Sequence, residues 1–275
     1  MSRNVLITGG NSGIGAEMAL ALAAQGDHVI IAARDAAKSQ ATVERIRAAH
    51  PKARVAAMAL DLGDFADVDR FANDLLGKMP VIDILILNAG LYTLKLGRLK
   101  NGLEKMMGVM HFGHFRLAER LLDAVKAAPQ GRIVVTSSMM HKYGRIDEAT
   151  FTDPSKHKNG MAAYGQAKLA NLLFVRELAR RLEGTRATAN AFHPGAVATD
   201  IYRSAPGELQ KLMALFMLTP KQGADTGVWL ATAPELAGVS GAYFIKRRRK
   251  EGSPLSRDAA LAQRLWTLSE QRMRA

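Results

Sequence analysis

Near its start the chain reads Val5-Leu6-Ile7-Thr8-Gly9-Gly10-Asn11-Ser12-Gly13-Ile14-Gly15. The apolar run Val5–Thr8 has the character of a buried strand, and the Ala- and Leu-rich stretch from Ser12 to Gln25, stopped by Gly26, that of a helix. Between them the glycines permit a tight turn and a close approach of the backbone to a phosphate. The helix N-terminus adds unbonded N–H donors and positive dipole character. A glycine-rich loop by itself says little, but between a strand and a helix it has the context a dinucleotide site requires.

The alternation continues along the chain. Further strands are expected at His28–Ala32, Arg54–Leu60, Ile82–Leu87, Arg132–Thr136, Thr188–Phe192 and Ala242–Ile245. Helices are expected at Ala36–Ala49, Phe65–Leu76, Leu103–Ala128, Met161–Leu182, Gly223–Ala231 and Arg257–Met273, with the polar stretch Gly144–Gly160 as loop. Strands that are apolar throughout need cover on both faces, and right-handed crossovers supply it. The expectation is an α/β fold: a single-domain doubly wound parallel sheet of the Rossmann type, with helices on both faces, over residues 1–275. A length of 275 residues and 48% apolar composition suit one large core, and 23% charged residues exclude general disorder.

The chain has no cysteine, which excludes disulfides, thiolate catalysis and Cys-ligated metals. No stretch approaches the about 20 apolar residues of a membrane span. Val5-Leu6-Ile7 is too short for a signal-peptide core, so a soluble cytoplasmic protein is expected. Thirty-eight basic against 25 acidic residues give a formal charge of +13, a field that favours phosphate ligands, nucleic acid or acidic lipid. The densest run, Lys246-Arg247-Arg248-Arg249-Lys250, reads as a solvated loop. No aromatic residue interrupts it, which counts against single-stranded nucleic acid, and no nucleic-acid partner is expected.

With Gly9, Gly13 and Gly15 the first loop resembles the T-G-x-x-x-G-x-G signature of the short-chain dehydrogenase/reductase family. Asn88-Ala89-Gly90 is similar to that family's N-A-G motif. Asp61-Leu62 is similar to its adenine-contacting pair, and His193-Pro194-Gly195 with Val197 and Thr199 to its P-G motif beside the nicotinamide. The resemblance covers nearly the whole chain and implies a nicotinamide dinucleotide held by these residues together with Asn11, Ser12 and Ile14. The second strand ends in Ala33-Arg34, where an acidic residue would bind a ribose 2′-hydroxyl. A guanidinium there holds a 2′-phosphate bidentately, so NADP(H) is expected; the alternative is that Arg34 is an ordinary surface residue.

Tyr164-Gly165-Gln166-Ala167-Lys168 puts a phenol and an amine on one face of the expected helix. An ammonium nearby stabilises the phenolate, lowering its pKa from about 10 and letting the phenol give or take a proton near neutrality. The pair resembles the family's Y-x-x-x-K catalytic pair, which implies that Lys168 also holds the ribose hydroxyls. Of Ser137 and Ser138, the family's catalytic serine corresponds to Ser138, and Ser137 faces the other way by strand alternation. The implied reaction is hydride transfer between C4 of a nicotinamide and a carbonyl carbon, and no metal is assigned.

One departure stands out. In Met110-His111-Phe112-Gly113-His114-Phe115, Met110 occupies the place of a family asparagine whose main-chain carbonyl holds a relay water. Methionine keeps the carbonyl and lacks the amide. His111 and His114 read either as substitute relay groups or as packing residues. Met110 also motivates an alternative function, a cofactor-binding regulatory or structural protein with little or no turnover.

Gly108–Phe115, Ser137-Ser138 with His141 and Gly144, Ala163–Phe174, and Leu265-Trp266 with Ser269-Glu270 are similar to the retinol-dehydrogenase-like and WW-domain-oxidoreductase-like branch. This implies a small lipophilic alcohol, ketone or aldehyde as substrate. The Leu-, Met- and Phe-rich segment 202–219 is expected as a substrate lid or, equally, as core or dimer contacts. Tyr92, Met139 and Met140 are further pocket candidates. The resemblance also implies a homodimer or homotetramer packed through the helices containing Gly113 and Tyr164.

Overall fold

The computed structural model describes residues 2–197 and 217–274. In chain order these form β1 (Asn4–Thr8), α1 (Gly13–Ala24), β2 (His28–Ala33), α2 (Ala36–Ala49), β3 (Arg54–Ala59), α3 (Phe65–Lys78) and β4 (Ile84–Leu87). Helix α4 starts at Lys105–Met107, widens into a π-helical segment at Gly108–Gly113 and resumes as α-helix over His114–Lys126. Then come β5 (Arg132–Thr136), α5 (Gly160–Arg181), β6 (Thr188–His193), α6 (Pro220–Thr232), β7 (Tyr243–Ile245), β8 (Arg248–Lys250) and α7 (Ala259–Arg274).

The strands form one sheet in the order β3-β2-β1-β4-β5-β6-β7-β8, parallel except for the final antiparallel pair. Side chains leave a strand alternately to its two faces. Leu6, Leu85, Leu87 and Ile133 accordingly join a core under α3, α4 and α5, while Val5, Ile7, Ile84 and Ile86 join one under α1, α2 and α6. That is why the strands read as unbroken apolar runs. The chain builds β1, β2 and β3 outward in one direction and then returns to place β4 on the other side of β1. The crossovers therefore diverge above the C-terminal ends of β1 and β4, opening the crevice where doubly wound sheets take ligands.

Three expectations need correction. Lys246–Lys250 is not a loop. Lys246 (φ 49°) and Arg247 (φ 57°) make a two-residue left-handed turn that pairs Arg248–Lys250 with Tyr243–Ile245 as a hairpin. Charge hid this strand, and tertiary contacts impose it: the Arg247 guanidinium grips Asp225, and its main-chain N–H donates to Thr226 Oγ1 at 3.2 Å. The second correction concerns Gly144–Gly160, which contains 3₁₀ turns at Glu148–Thr150 and Pro154–Lys156, each capped by the aspartate before it. The third is the interruption of α4, treated below.

Helix α7 lies along α4 and α5. Trp266 stacks on Phe174 (centroids 5.8 Å apart, planes 7° apart), Arg181 covers the outer indole face at 4.2 Å, and Arg116 donates to the Met273 carbonyl at 3.0 Å. His111 Nε2 meets Ser269 Oγ at 2.8 Å. An assembly through the faces of α4 and α5 covered in this way requires α7 to move.

Candidate active site

The glycine loop is shaped by close packing of backbone on backbone. A Cβ at Gly15 would stand 2.2 Å from the Gly9 carbonyl oxygen and 2.6 Å from Asn88 Nδ2, so only glycine lets α1 start this near β4. Gly9 (φ 64°) and Gly13 (φ 49°) take left-handed conformations that suit glycine. Ser12 is the N-cap of α1, yet its hydroxyl makes no capping bond. The first-turn N–H groups of a helix have no intrahelical acceptor. Ser12, Gly13 and Ile14 thus present unspent donors at a positive helix end, a cradle that fits a dinucleotide pyrophosphate. Ile14 and Val197 both pack on Gly223, where a Cβ would lie 3.2 Å and 2.6 Å from their side chains, which brings the residues after β6 to this loop.

Arg34 follows β2 on the exposed surface. Its acidic neighbour Asp35 caps α2, one carboxylate oxygen accepting from the Lys38 N–H at 3.0 Å and the other lying 3.9 Å from Lys38 Nζ. Asn11 Nδ2 donates to the Asp35 carbonyl at 3.4 Å, tying the glycine loop to this corner. Lys38 lines the hollow shared by Asn11, Ser12 and Gly13 and adds a second cation that the sequence reading passed over. Its signal was a basic residue one helical turn beyond Arg34.

Asp61 follows β3; its carboxylate accepts from Gly63 N–H at 2.9 Å, fixing the turn. Leu62 is buried against Gly113, where a Cβ would sit 2.1 Å from the Leu62 carbonyl oxygen. Asn88, Ala89 and Gly90 leave β4 towards β1. Asn88 N–H and Ala89 N–H donate to Thr8 Oγ1 at 2.9 and 3.0 Å, and Asn88 Nδ2 donates to the Thr8 carbonyl at 3.1 Å. At Gly90 a Cβ would be 3.4 Å from Met110 Sδ and 3.7 Å from Lys168 Nζ, so both side chains close over this glycine. Pro194 and Gly195 follow β6, and Gly195 (φ 94°) leaves room for Leu218. Thr199 and, of the expected lid, residues 202–216 lie outside the described residues.

Tyr164 and Lys168 share one face of α5, with Lys168 Nζ 5.5 Å from the Tyr164 ring centroid. Tyr92 packs edge-on against the Tyr164 ring at 5.7 Å. Lys168 is buried and donates to the Thr136 carbonyl at 3.1 Å. Burial lowers its pKa to about 8, because a charged amine loses solvation that one carbonyl does not restore. The same carbonyl accepts from Asn171 Nδ2 at 3.3 Å.

The two serines after β5 part company. Ser137 Oγ donates to the Lys168 carbonyl at 2.9 Å and is spent on anchoring α5. Ser138 Oγ accepts from Met140 N–H at 3.2 Å, which fixes the oxygen and leaves its proton to be given to a bound oxygen. His141 holds this corner from behind. Its Nδ1–H donates to the Ser138 carbonyl at 2.7 Å, while Nε2 accepts from Ser253 N–H at 3.1 Å. His193, at the end of β6, is kept neutral by burial and by the nearby His141 and Lys168, with a pKa lowered to about 4.

His111 and His114 are both pushed down to about 3 by burial. Both imidazoles are therefore neutral near pH 7, each with one N–H and one bare nitrogen. The Ser269 hydroxyl donates to the Leu265 carbonyl at 2.8 Å, so His111 Nε2 carries the proton in their contact.

Residues 3–209 match the family described as short chain dehydrogenase. The chain belongs to this family. Retinol dehydrogenase 14 of Mus musculus is 38% identical over 98% of this chain and 85% of its own length. Among solved structures, an uncharacterised protein from Mycobacterium paratuberculosis superimposes with a TM-score of 0.79 at 33% identity, covering 99% of this chain and 94% of its own. The RhlG/NADP active-site complex of Pseudomonas aeruginosa gives a TM-score of 0.73 at 25% identity, covering 94% and 96%. The likeness runs to the retinol-dehydrogenase-like branch of the short-chain dehydrogenases.

Proposed function

We propose that this short-chain dehydrogenase is an NADP(H)-dependent oxidoreductase that interconverts a lipophilic aldehyde or ketone and its alcohol, with Ser138, Tyr164 and Lys168 as its catalytic residues. The observation that carries the proposal is the buried Lys168 amine beside the Tyr164 ring, at the mouth of a crevice built by the glycine loop and Asn88-Ala89-Gly90. When bound, a nicotinamide supplies or accepts the hydride. Ser138 keeps its proton and hydrogen-bonds the carbonyl oxygen as charge gathers there, while Tyr164 transfers the single proton to that oxygen. The Lys168 ammonium stabilises the phenolate that Tyr164 leaves behind.

Arg34, exposed directly after β2, and Lys38, which lines the hollow beside the glycine loop within 3.9 Å of the Asp35 carboxylate, support the 2′-phosphorylated cofactor. Tyr92 beside Tyr164 and the half-exposed Met139 next to Ser138 support an apolar substrate. The retinol dehydrogenases among its relatives make retinal a sensible first probe. The test is NADPH oxidation with retinal and a panel of hydrophobic aldehydes and ketones. Turnover that Tyr164→Phe removes supports the assignment. Tight NADPH binding without turnover on any member favours the regulatory alternative.

A further inference from the structure

Helix α4 is irregular at one place only, the π segment Gly108–Gly113, and that place adjoins the crevice. Here the Met110 carbonyl accepts a hydrogen bond from the His114 side chain, Nδ1 at 3.1 Å. A carbonyl only accepts, so the proton of this imidazole is on Nδ1. The ring lies fully inside the protein, with Lys168 and His111 as its titratable neighbours; both resist a second charge beside them. Nε2 is therefore bare and acts as an acceptor. Its partner is Thr8 Oγ1 at 2.9 Å, so the Thr8 hydroxyl proton points at His114.

The direction of that one proton matters. With it given to His114, the Thr8 oxygen turns its lone pairs to the N–H groups of Asn88 and Ala89. Thr8 ends β1 and Asn88 follows β4, so this hydroxyl is the pin between the two edges of the crevice. Without His114 the hydroxyl has, among the described residues, only the Ile86 carbonyl, at 3.3 Å, to donate to. The same imidazole holds the widened turn that seats Met110 Sδ over Gly90.

We propose that His114 is a positioning residue for the cofactor. Locked in its Nδ1–H neutral form, it clamps the Met110 carbonyl with one nitrogen and orients the Thr8 hydroxyl with the other, so that the turns after β1 and β4 are held at the spacing a dinucleotide needs. The proposal rests on the NADP(H) reading above, and the experiment separates the two. NADPH dissociation constants are measured by fluorescence for the parent, Thr8→Val, His114→Leu and the double variant, with thermal melts to show that each is folded. Failure of the parent to bind NADPH strikes the cofactor reading itself.

If the parent binds, each single variant weakens NADPH at least about tenfold: His114→Leu loses the bonds to Met110 and Thr8, and Thr8→Val also strips the Asn88 and Ala89 N–H groups of their acceptor. The double variant is weakened by clearly less than the product of the two single effects, because the Thr8–His114 link is removed by either one. His114→Gln, whose amide oxygen can still accept from Thr8, returns affinity to within about threefold of the parent. Where His114→Leu does not fold, His114→Asn replaces it in the cycle, as its amide can donate to Met110 but is too short to reach Thr8. Side-chain ¹⁵N spectra of the cofactor-free protein show a proton on Nδ1 of His114 and no titration between pH 5 and pH 8. Multiplying effects in the cycle, parent-like affinity in the folded His114 variant, a proton on Nε2, or titration of the ring near neutrality would each overturn the proposal.

Discussion

Replacing Lys168 with methionine should make the cofactor-free protein more stable at pH 7 while removing its turnover. The amine is 3% exposed, and its one hydrogen-bond acceptor among the described residues is the Thr136 carbonyl at 3.1 Å. Burial takes its pKa from 10.5 to about 8. That depression corresponds to about 3 kcal/mol spent on keeping the ammonium inside the folded chain. Below about pH 8 both the folded and the unfolded chain carry the proton, and the folded chain bears the whole cost. Between about pH 8 and 10.5 the folded chain releases the proton first, so stability of the parent rises with pH.

Methionine keeps most of the stem volume and carries no charge. Allowing for the lost bond to Thr136, the variant should gain about 1–3 kcal/mol at pH 7. By pH 9.5 the gap should close by about 2 kcal/mol. Urea unfolding of the two proteins at both pH values measures this directly. A variant less stable than the parent at pH 7, by an amount that does not change with pH, would refute the reasoning that Lys168 is a desolvated charge retained for chemistry.

Other expectations follow from single contacts. Arg34→Asp should shift the ratio of NADPH to NADH affinity by at least about tenfold towards NADH, measured by parallel titrations, because it replaces a phosphate-binding cation with a hydroxyl-binding anion; an unchanged ratio removes Arg34 from cofactor choice. Ser138→Ala should lower kcat by about 10²–10³-fold and leave NADPH affinity intact in binding and steady-state assays, since its hydroxyl acts on developing charge at the substrate. Gly15→Ala should abolish NADPH binding, as its Cβ would stand 2.2 Å from the Gly9 carbonyl oxygen, and titration of the folded variant checks this. Trp266→Ala should cost about 3–5 kcal/mol in denaturant unfolding, because it empties the stack between Phe174 and Arg181.

The framework was legible in the sequence wherever one local signal sufficed. Val5–Thr8 and Arg132–Thr136 are buried on both faces and read as strands from their apolar cores Val5–Ile7 and Ile133–Val135, and Ala36–Ala49 is bracketed by Asp35 and His50, where the observed helix begins and ends. Residues read as one group from their types, such as Tyr164 with Lys168 and the glycine loop with Asn88-Ala89-Gly90, lie together because strand ends and helix faces have fixed periods. What escaped the reading depends on contacts distant in sequence. The Arg248–Lys250 strand is specified by its anchor at Asp225 and Thr226, not by its own composition. The link from His114 to Thr8 spans 106 residues and exists only because a π turn brings the imidazole under β1. Lys38 gained its place from the way Asp35 caps α2.

In the proposed reaction Tyr164, assisted by Lys168 and Ser138, protonates a carbonyl oxygen while a hydride arrives from a nicotinamide. The direct measurement is isotope transfer: NADPH deuterated at both C4 positions, offered with retinal or a hydrophobic ketone, and the product alcohol examined by mass spectrometry. Deuterium should appear on the carbinol carbon with the parent enzyme and be lost with Tyr164→Phe. Bound NADPH that passes no deuterium to any carbonyl tested, or transfer that persists undiminished without the Tyr164 hydroxyl, would contradict that reaction.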